Sequence, residues 1–420
     1  MLTQAPRGTK DVLPSEVYKW HYVEKLFKEV CDKFGYKEIR TPGFEHTELF
    51  KRGVGETTDI VQKEMYSFKD NGDRDITLKP EGTAPVVRAF IQHKIYADTQ
   101  PTKLFYITPC YRYEKPQAGR LRAFHQFGVE AFGTDNPSVD AEVIGIAMMF
   151  YRKLGIHNLE LKINSIGCPT CREKYNHVLK EYLKEKLPSL CNTCKERYDR
   201  NPLRIIDCKV ETCKEQLKDV PLMLDYICDD CKDHFEKLKE NLTLMDIQYT
   251  VDPTIVRGLD YYTKTAFEIV SYEIGAQATV CGGGRYDGLI ETLGGPPTPG
   301  VGFGMGIERL LLTLENNNIP ISEPAGLDIF IAAMGERAQK ESVRLLNILR
   351  LEDISADKDH MNRSIKAQFK YADKVNAAFT IVIGDNELDK GMVSLKNMMS
   401  GEQTEIQINE LVIELKRRLR

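Results

Sequence analysis

Apolar residues recur at Val23, Leu26, Phe27, Val30 and Phe34, the i, i+3, i+4, i+7, i+11 spacing of one helical face. Pro14-Ser15 precede this pattern and Gly35 follows it, as helix boundaries require. Residues 36–40 read as a short strand stopped by Pro42. Asp70-Asn71-Gly72-Asp73 is a hairpin turn between strands at 65–69 and 76–78. Two longer strands, 104–112 and 124–132, flank the basic, proline-containing segment 114–122 and make a second hairpin with a long loop. The stretch 168–249 is rich in Lys, Glu and Cys and reads as mostly helical, as at 171–186 and 233–242. Strands return at 267–270 and 278–281. An Asn- and Pro-bearing linker, 315–327, leads to strand 328–332, helices 338–351 and 363–374, strand 380–383 and a last helix near 408–418. The chain is thus expected to hold a mixed α/β domain over 1–325, interrupted by a cysteine-rich helical insertion at 168–249, and a compact α/β domain over 327–420.

Composition narrows the class. Of the 420 residues 42% are apolar and 29% charged, ordinary for a globular chain and unlike a disordered one. No run approaches the roughly 18 apolar residues of a membrane helix, and the start, MLTQAPRGTK, has no apolar h-region. A cytoplasmic protein without membrane contact is expected. The net charge of −4 argues against bulk attraction to nucleic acid, although a local groove of Lys and Arg is sufficient for phosphate contacts. The basic tail Lys416-Arg417-Arg418-Leu419-Arg420 reads as a solvated helix end. Eleven cysteines in a chain with no secretory leader are expected to be thiols or metal ligands, not a disulfide frame.

Four segments carry candidate chemistry. Glycines at 300, 302, 304 and 306 bare one face of a strand, either for a flat ligand or for close packing. Ile307, Leu310, Leu311 and Leu314 then place Arg309 in the first turn of a helix beside it, where a guanidinium can hold a phosphate or stack on a purine. Cys281-Gly282-Gly283-Gly284-Arg285-Tyr286-Asp287 lacks the Lys-Ser/Thr of a phosphate-binding loop and reads as a turn. Along 124–130, alternation puts Gln126, Gly128 and Glu130 on one face and Phe127 and Val129 on the other. That is a polar floor, costly to bury without partners. Finally, Arg257-Gly258-Leu259-Asp260-Tyr261-Tyr262-Thr263 packs a cation, an acid and two phenols together.

In their order these segments resemble the histidyl-tRNA synthetases, over most of the chain. Residues 34–42 resemble motif 1 of the class II synthetases, 111–130 motif 2 and 302–311 motif 3; 257–263 and 281–288 resemble segments peculiar to the histidine enzymes. The resemblance implies an α+β catalytic domain with an antiparallel sheet flanked by helices, a helical insertion, and a C-terminal α/β anticodon-binding domain. It implies ATP, as its Mg²⁺ complex, L-histidine and tRNA(His) as partners, and a homodimer built through motif 1. By the same resemblance, Glu81, Gly82, Thr83, Arg112, Gln126, Glu130, Arg257, Tyr261 and Tyr262 hold histidine, with Glu81 and Thr83 on the α-amino group and Glu130 and Tyr262 on the ring nitrogens. Arg112, Glu114 and Arg309 contact ATP, and Arg112 and Arg257 stabilise charge at the α-phosphate. Lys115, Gln117, Arg120 and Arg122 approach the tRNA acceptor end. Tyr113 and Lys115 depart from the His and Arg of bacterial relatives, and Lys loses the planar fork. A pocket that hydrogen-bonds both ring nitrogens rejects analogues by roughly 10⁴ or more, so no editing domain is required.

Three CxxC pairs plus Cys208 and Cys213 have the ligand types for one or two Zn²⁺ sites. Cys191, Cys194, Cys228 and Cys231 are the expected set, against reduced structural thiols. Three rival readings stand beside the enzyme: a regulatory paralogue without an anticodon domain, a class II synthetase for another amino acid, and a zinc-dependent RNA-binding module. The 327–420 segment, together with Arg112, Arg257 and Arg309, weighs against the first; Glu130 with Tyr261-Tyr262 weighs against the second.

Overall fold

The computed structural model describes residues 3–56, 58–272 and 279–419. Ala278, where a strand was expected to begin, and Arg420 of the basic tail lie outside them. The chain divides into two units, Met1–Ile321 and Ser322–Arg420.

Among the described residues the first unit is built on an eight-stranded sheet. Its order is Lys37–Glu38, Thr102–Tyr111, Ala123–Phe132, Gly300–Gly306, Thr279–Arg285, Thr263–Val270, Glu160–Ser165, Thr250–Val251. The six central strands are antiparallel and each edge strand pairs in parallel. The expected hairpin is there, with Thr102–Tyr111 paired along its whole length to Ala123–Phe132. Strand alternation drives Phe127 and Val129 into the core. Helix Val17–Lys33 covers that face, and Phe27 stacks on Phe127 with ring centroids 4.4 Å apart. Truncating a buried phenylalanine of this kind costs about 3–5 kcal/mol. The helix ends where expected, because Gly35 takes a left-handed φ of 77° and the Tyr36 amide returns to the Cys31 carbonyl at 3.0 Å. Helix Pro137–Lys153 packs on the same face through Val143, Ile144, Ala147 and Phe150.

The expected turn at 70–73 also forms. Asp70 accepts the amides of Gly72 and Arg74 at 2.9 and 3.0 Å, closing the antiparallel pair Tyr66–Lys69 and Asp75–Leu78. The 168–249 stretch is helical at Pro169–Lys184, Asn192–Arg200, Glu211–Gln216 and Asp229–Leu244. Its last helix is less separate than composition suggested, since Phe235, Leu238 and Leu242 are part of the main core.

The second unit has, among the described residues, a five-stranded sheet ordered Ala356–Lys358, Ile329–Ala333, Phe379–Ile383, Met392–Asn397, Gln403–Gln407. The first three strands are parallel and the last two antiparallel. Helix Leu411–Arg418 closes the unit; Lys416 pairs with Glu352 at 2.6 Å, and Arg417 and Arg418 pair with Glu414 at 2.7 and 2.6 Å. These described cations of the tail are therefore engaged within their own unit.

Candidate active site

On the face of the eight-stranded sheet opposite Phe127, a cavity of about 350 Å³ opens over the hairpin and the glycine strand. Glu81, Thr83, Arg112, Glu114, Gln126, Arg257, Tyr261, Tyr262 and Arg309 line it together. The glycines matter here for close approach. A side chain at Gly304 would collide with the Gln126 amide, and one at Gly282 with the Arg257 guanidinium. The bare strand face therefore makes room for neighbouring polar side chains as well as bordering the cavity.

The lining falls into two groups. Around Arg309, whose Nη1 donates to the Thr279 carbonyl at 2.6 Å, lie Arg112, Arg120 and Glu114. Arg112 lies over the Phe124 ring at 5.3 Å and donates from Nε to the Pro80 carbonyl at 2.7 Å. Glu114 pairs tightly with Arg120, and an oxygen sits 3.6 Å from Arg112. Burial and the nearby Arg120 push the Arg309 guanidinium below its ordinary value. An excess of buried cation over anion is stabilised by an incoming anion.

The second group surrounds Thr83 and the two tyrosines. Helix Thr83–Gln92 begins here, and the buried Glu81 carboxylate accepts the Thr83 and Ala84 amides at 2.8 Å each. Burial outweighs those donors and raises the carboxyl above the ordinary range. The Gly82 amide donates to Gln126 Oε1 at 3.0 Å, so Gly82 acts behind the lining and does not form part of it. Arg257 pairs closely with Glu268 and lies 5.5 Å from the Tyr262 ring centroid. Burial works against its charge, but Glu268 together with Tyr262 and Tyr261 outweighs it and holds the guanidinium above its ordinary value. Its Nε is buried without a partner among the described residues, an unspent donor that an anionic oxygen would satisfy.

Glu130 lies behind the lining. It is fully buried and does not line the cavity. Thr83 Oγ1 and the Tyr106 hydroxyl donate to its Oε1 at 2.8 and 3.2 Å, and the Tyr286 hydroxyl contacts Oε2. Burial pushes its carboxyl up to about 8, against those three hydroxyls and with nearby Glu81 adding to the rise. The direct bond to a ring nitrogen expected of Glu130 is thus not open in this arrangement.

Tyr106, Tyr286 and Glu268 were missed by sequence reasoning. Strand alternation places Tyr106 on the polar face, a usable signal; Tyr286 sat in a segment that its residues marked as a turn and the resemblance marked as a histidine-enzyme motif, without a role for the tyrosine. Arg285 proves structural, buried against Asp140. Of the residues expected at an acceptor end, Arg120 lines the cavity and Lys115 and Gln117 are exposed on the loop. Arg122 lies over the Tyr113 ring at 3.9 Å.

The cysteines correct the expected metal set. Among the described residues two four-thiol groups form: Cys168, Cys171, Cys228 and Cys231, and Cys191, Cys194, Cys208 and Cys213. Cys191, Cys194, Cys228 and Cys231 are therefore not one set. The helices Pro169–Lys184 and Asp229–Leu244 begin side by side and bring Cys228 and Cys231 to Cys168 and Cys171. Cys191 and Cys194 meet their partners within the intervening segment.

The histidyl-tRNA synthetase family profile matches residues 8–310, and that of an anticodon-binding domain matches 328–418. A histidine–tRNA ligase of Clostridioides difficile is 64% identical over 420 residues, covering all of both chains. One of Caldanaerobacter subterraneus is 66% identical over 411 residues, covering 98% of this chain and 99% of that one. The crystal structure of apo S. aureus histidyl-tRNA synthetase superposes with a TM-score of 0.84 at 44% identity, covering 98% of this chain and 99% of that one.

Proposed function

The chain belongs to the histidyl-tRNA synthetase family, and we infer that the cavity over the hairpin is where it activates histidine with ATP before esterifying it to tRNA. The observation that carries this reading is the convergence on one cavity of carboxylate, hydroxyl, amide, phenol and arginine groups from the separated segments 81–83, 112–114, 126, 257–262 and 309.

Histidine enters the group around Thr83, and ATP, as its Mg²⁺ complex, enters beside Arg309. Glu81 and the Thr83 hydroxyl receive the α-amino group. As Thr83 turns to the ligand it releases one of the two hydroxyls on Glu130 Oε1, whose second lone pair then meets one imidazole nitrogen while Tyr106 keeps the first, and the Tyr262 hydroxyl takes the other nitrogen. Gln126 stays against the Gly82 amide and borders the ring. An apolar competitor would leave these buried polar groups unpaired.

The histidine carboxylate then attacks the α-phosphorus in line; one P–O bond forms, another breaks, and pyrophosphate leaves. Charge grows on the α-phosphate oxygens, where Arg112 and the unspent Arg257 donor stabilise it. Glu114 holds the Arg112 and Arg120 geometry on the ATP side. In the second step the terminal ribose hydroxyl of the tRNA attacks the adenylate carbonyl and AMP leaves. Lys115, Gln117, Arg120 and Arg122 on the 114–122 loop guide the acceptor end, and the 327–420 domain takes the anticodon.

ATP–pyrophosphate exchange, run with each amino acid separately, tests the assignment. Exchange with histidine alone is expected; exchange with another amino acid would overturn the Glu130 and Tyr262 roles, and none at all would overturn the activation site.

The working form is a cytoplasmic homodimer. Among the described residues no helix is long and apolar enough to cross a membrane. The small sheet that follows motif 1 leaves Phe44 56% and Phe68 50% exposed, apolar surface suited to a partner subunit. Sedimentation should give twice the 47.9 kDa chain mass; a stable monomer would remove this claim. The insertion holds zinc, a reading supported by its two four-thiol groups, whose soft sulfur donors suit that ion.

A further inference from the structure

We propose that each chain carries two separate mononuclear Zn²⁺–Cys₄ centres, and that the outer one, Cys191/Cys194/Cys208/Cys213, is a positioning device for the 257–262 loop of the histidine cavity. This rests on reading the insertion as zinc-binding and the cavity as the histidine site.

The sulfurs of each group lie within 4.8 Å of one another, with Cys168–Cys171, Cys171–Cys231 and Cys191–Cys208 at 3.5, 4.0 and 3.9 Å. A tetrahedron with Zn–S bonds of about 2.3 Å separates its sulfurs by about 3.8 Å. A disulfide needs about 2.05 Å, and the space admits one ion, not a cluster. Backbone amides already turn toward the sulfurs: Cys228 N–H donates to Cys171 Sγ at 3.0 Å and Cys191 N–H to Cys213 Sγ at 3.2 Å. Such bonds support a thiolate ligand.

The two helices between the outer cysteines bury little of their own, so a cross-link there adds to a small apolar cluster. Among the described residues, helix Asn192–Arg200 buries only Cys194, and the six-residue helix Glu211–Gln216 buries only Cys213. Helices this short do not persist unaided, and beyond these cysteines the two helices give only the half-buried Tyr198 to the insertion's apolar cluster, which Leu190, Leu203, Ile205 and Leu217 of the flanking segments complete. A metal bound to the folded form alone supplies that free energy.

Between Cys194 and Cys208, Arg197 donates to Asp59 at 3.0 Å, Asn201 to Asp260 Oδ1 at 2.7 Å, and Arg204 to the Gly258 carbonyl at 2.8 Å. Asp260 and Gly258 flank Leu259 in the loop that carries Arg257, Tyr261 and Tyr262. The outer centre thus fixes the segment that grips the histidine loop, while the inner centre ties the first and last helices of the insertion at their starts.

The test uses the full-length protein and metal analysis by mass spectrometry. Two zinc ions per chain are expected, falling to one in Cys208→Ser and one in Cys171→Ser. In pyrophosphate exchange, Cys208→Ser should raise the histidine KM about tenfold with the ATP KM unchanged. Asn201→Ala leaves every cysteine in place; it should keep two zinc ions and reproduce the histidine KM change, so a folding defect at the metal site cannot account for it. Fewer than two zinc ions in the wild type, or another metal in their place, overturns the two-centre assignment. An unchanged histidine KM in both variants overturns the positioning role. Histidine-independent exchange in the wild type would instead fault the cavity assignment, and the zinc count reads out regardless.

Discussion

At the scale of single residues, Glu130 shows how burial recasts a chemically plain group. The fold surrounds it with Thr83, Tyr106 and Tyr286 and raises its carboxyl to about 8. The folded state therefore holds a proton that an unfolded carboxyl, near its ordinary value of about 4.3, has already released. Stability from this group is full below the ordinary carboxylate range and is lost as pH rises through about 8. Glu130→Gln removes that titration. Urea midpoints at about pH 5 and about pH 9 should show the wild type losing ground to the variant as pH rises; parallel values would contradict the shift. The same variant should lower histidine-dependent exchange by about 100-fold, because the amide presents a misplaced donor beneath the ligand.

At the scale of elements, the strand read at 278–281 does not stop at the triple glycine read as a turn but runs on through it as Thr279–Arg285, at the middle of the sheet. Its Arg285 joins three elements. It bonds Asp140 of helix Pro137–Lys153 through Nε at 3.2 Å and through Nη2, and Asp287 through Nη1 at 3.0 Å. His234 of the last insertion helix reaches the same Asp140 at 3.3 Å. Burial alone would raise the Asp140 carboxyl, but Arg285 and His234 reverse the effect and hold it at about 2. Arg285→Met leaves the buried Asp140 carboxylate with His234 alone and should cost about 3–5 kcal/mol in urea unfolding, whereas pairing it with Asp140→Leu should recover most of the loss. Equal destabilisation by the single and double variants would mean that shape and not charge governs the site.

At the scale of the whole molecule, the two units carry separate cores, so activation and tRNA recognition should separate on truncation. A chain ending at Ile321 is expected to keep histidine-dependent pyrophosphate exchange while its KM for tRNA in aminoacylation rises by about tenfold or more. An unchanged tRNA KM would remove the C-terminal unit from recognition. Loss of exchange would show that the catalytic unit needs its neighbour.

The periodic signals carried well from sequence to structure. The helix bearing Val23, Phe27 and Val30, the Asp70 turn, the long hairpin and the alternation that turns Gln126 away from Phe127 all depend on neighbours a few residues apart. Such local chemistry is written in spacing. The hairpin Met392–Asn397/Gln403–Gln407 escaped notice because its strands are only half buried and lack a clean apolar run. Which residues meet at the site was a different matter. The Glu268 partner of Arg257, the Tyr286 hydroxyl on Glu130 and the thiols that complete each four-sulfur group, such as Cys228 on Cys171, join positions 11, 156 and 57 residues apart. Spacing within an element cannot encode which distant side chains will be neighbours. Only the packed sheet and the returning insertion helix decided that, since burial allows polar groups to stay inside where they find partners.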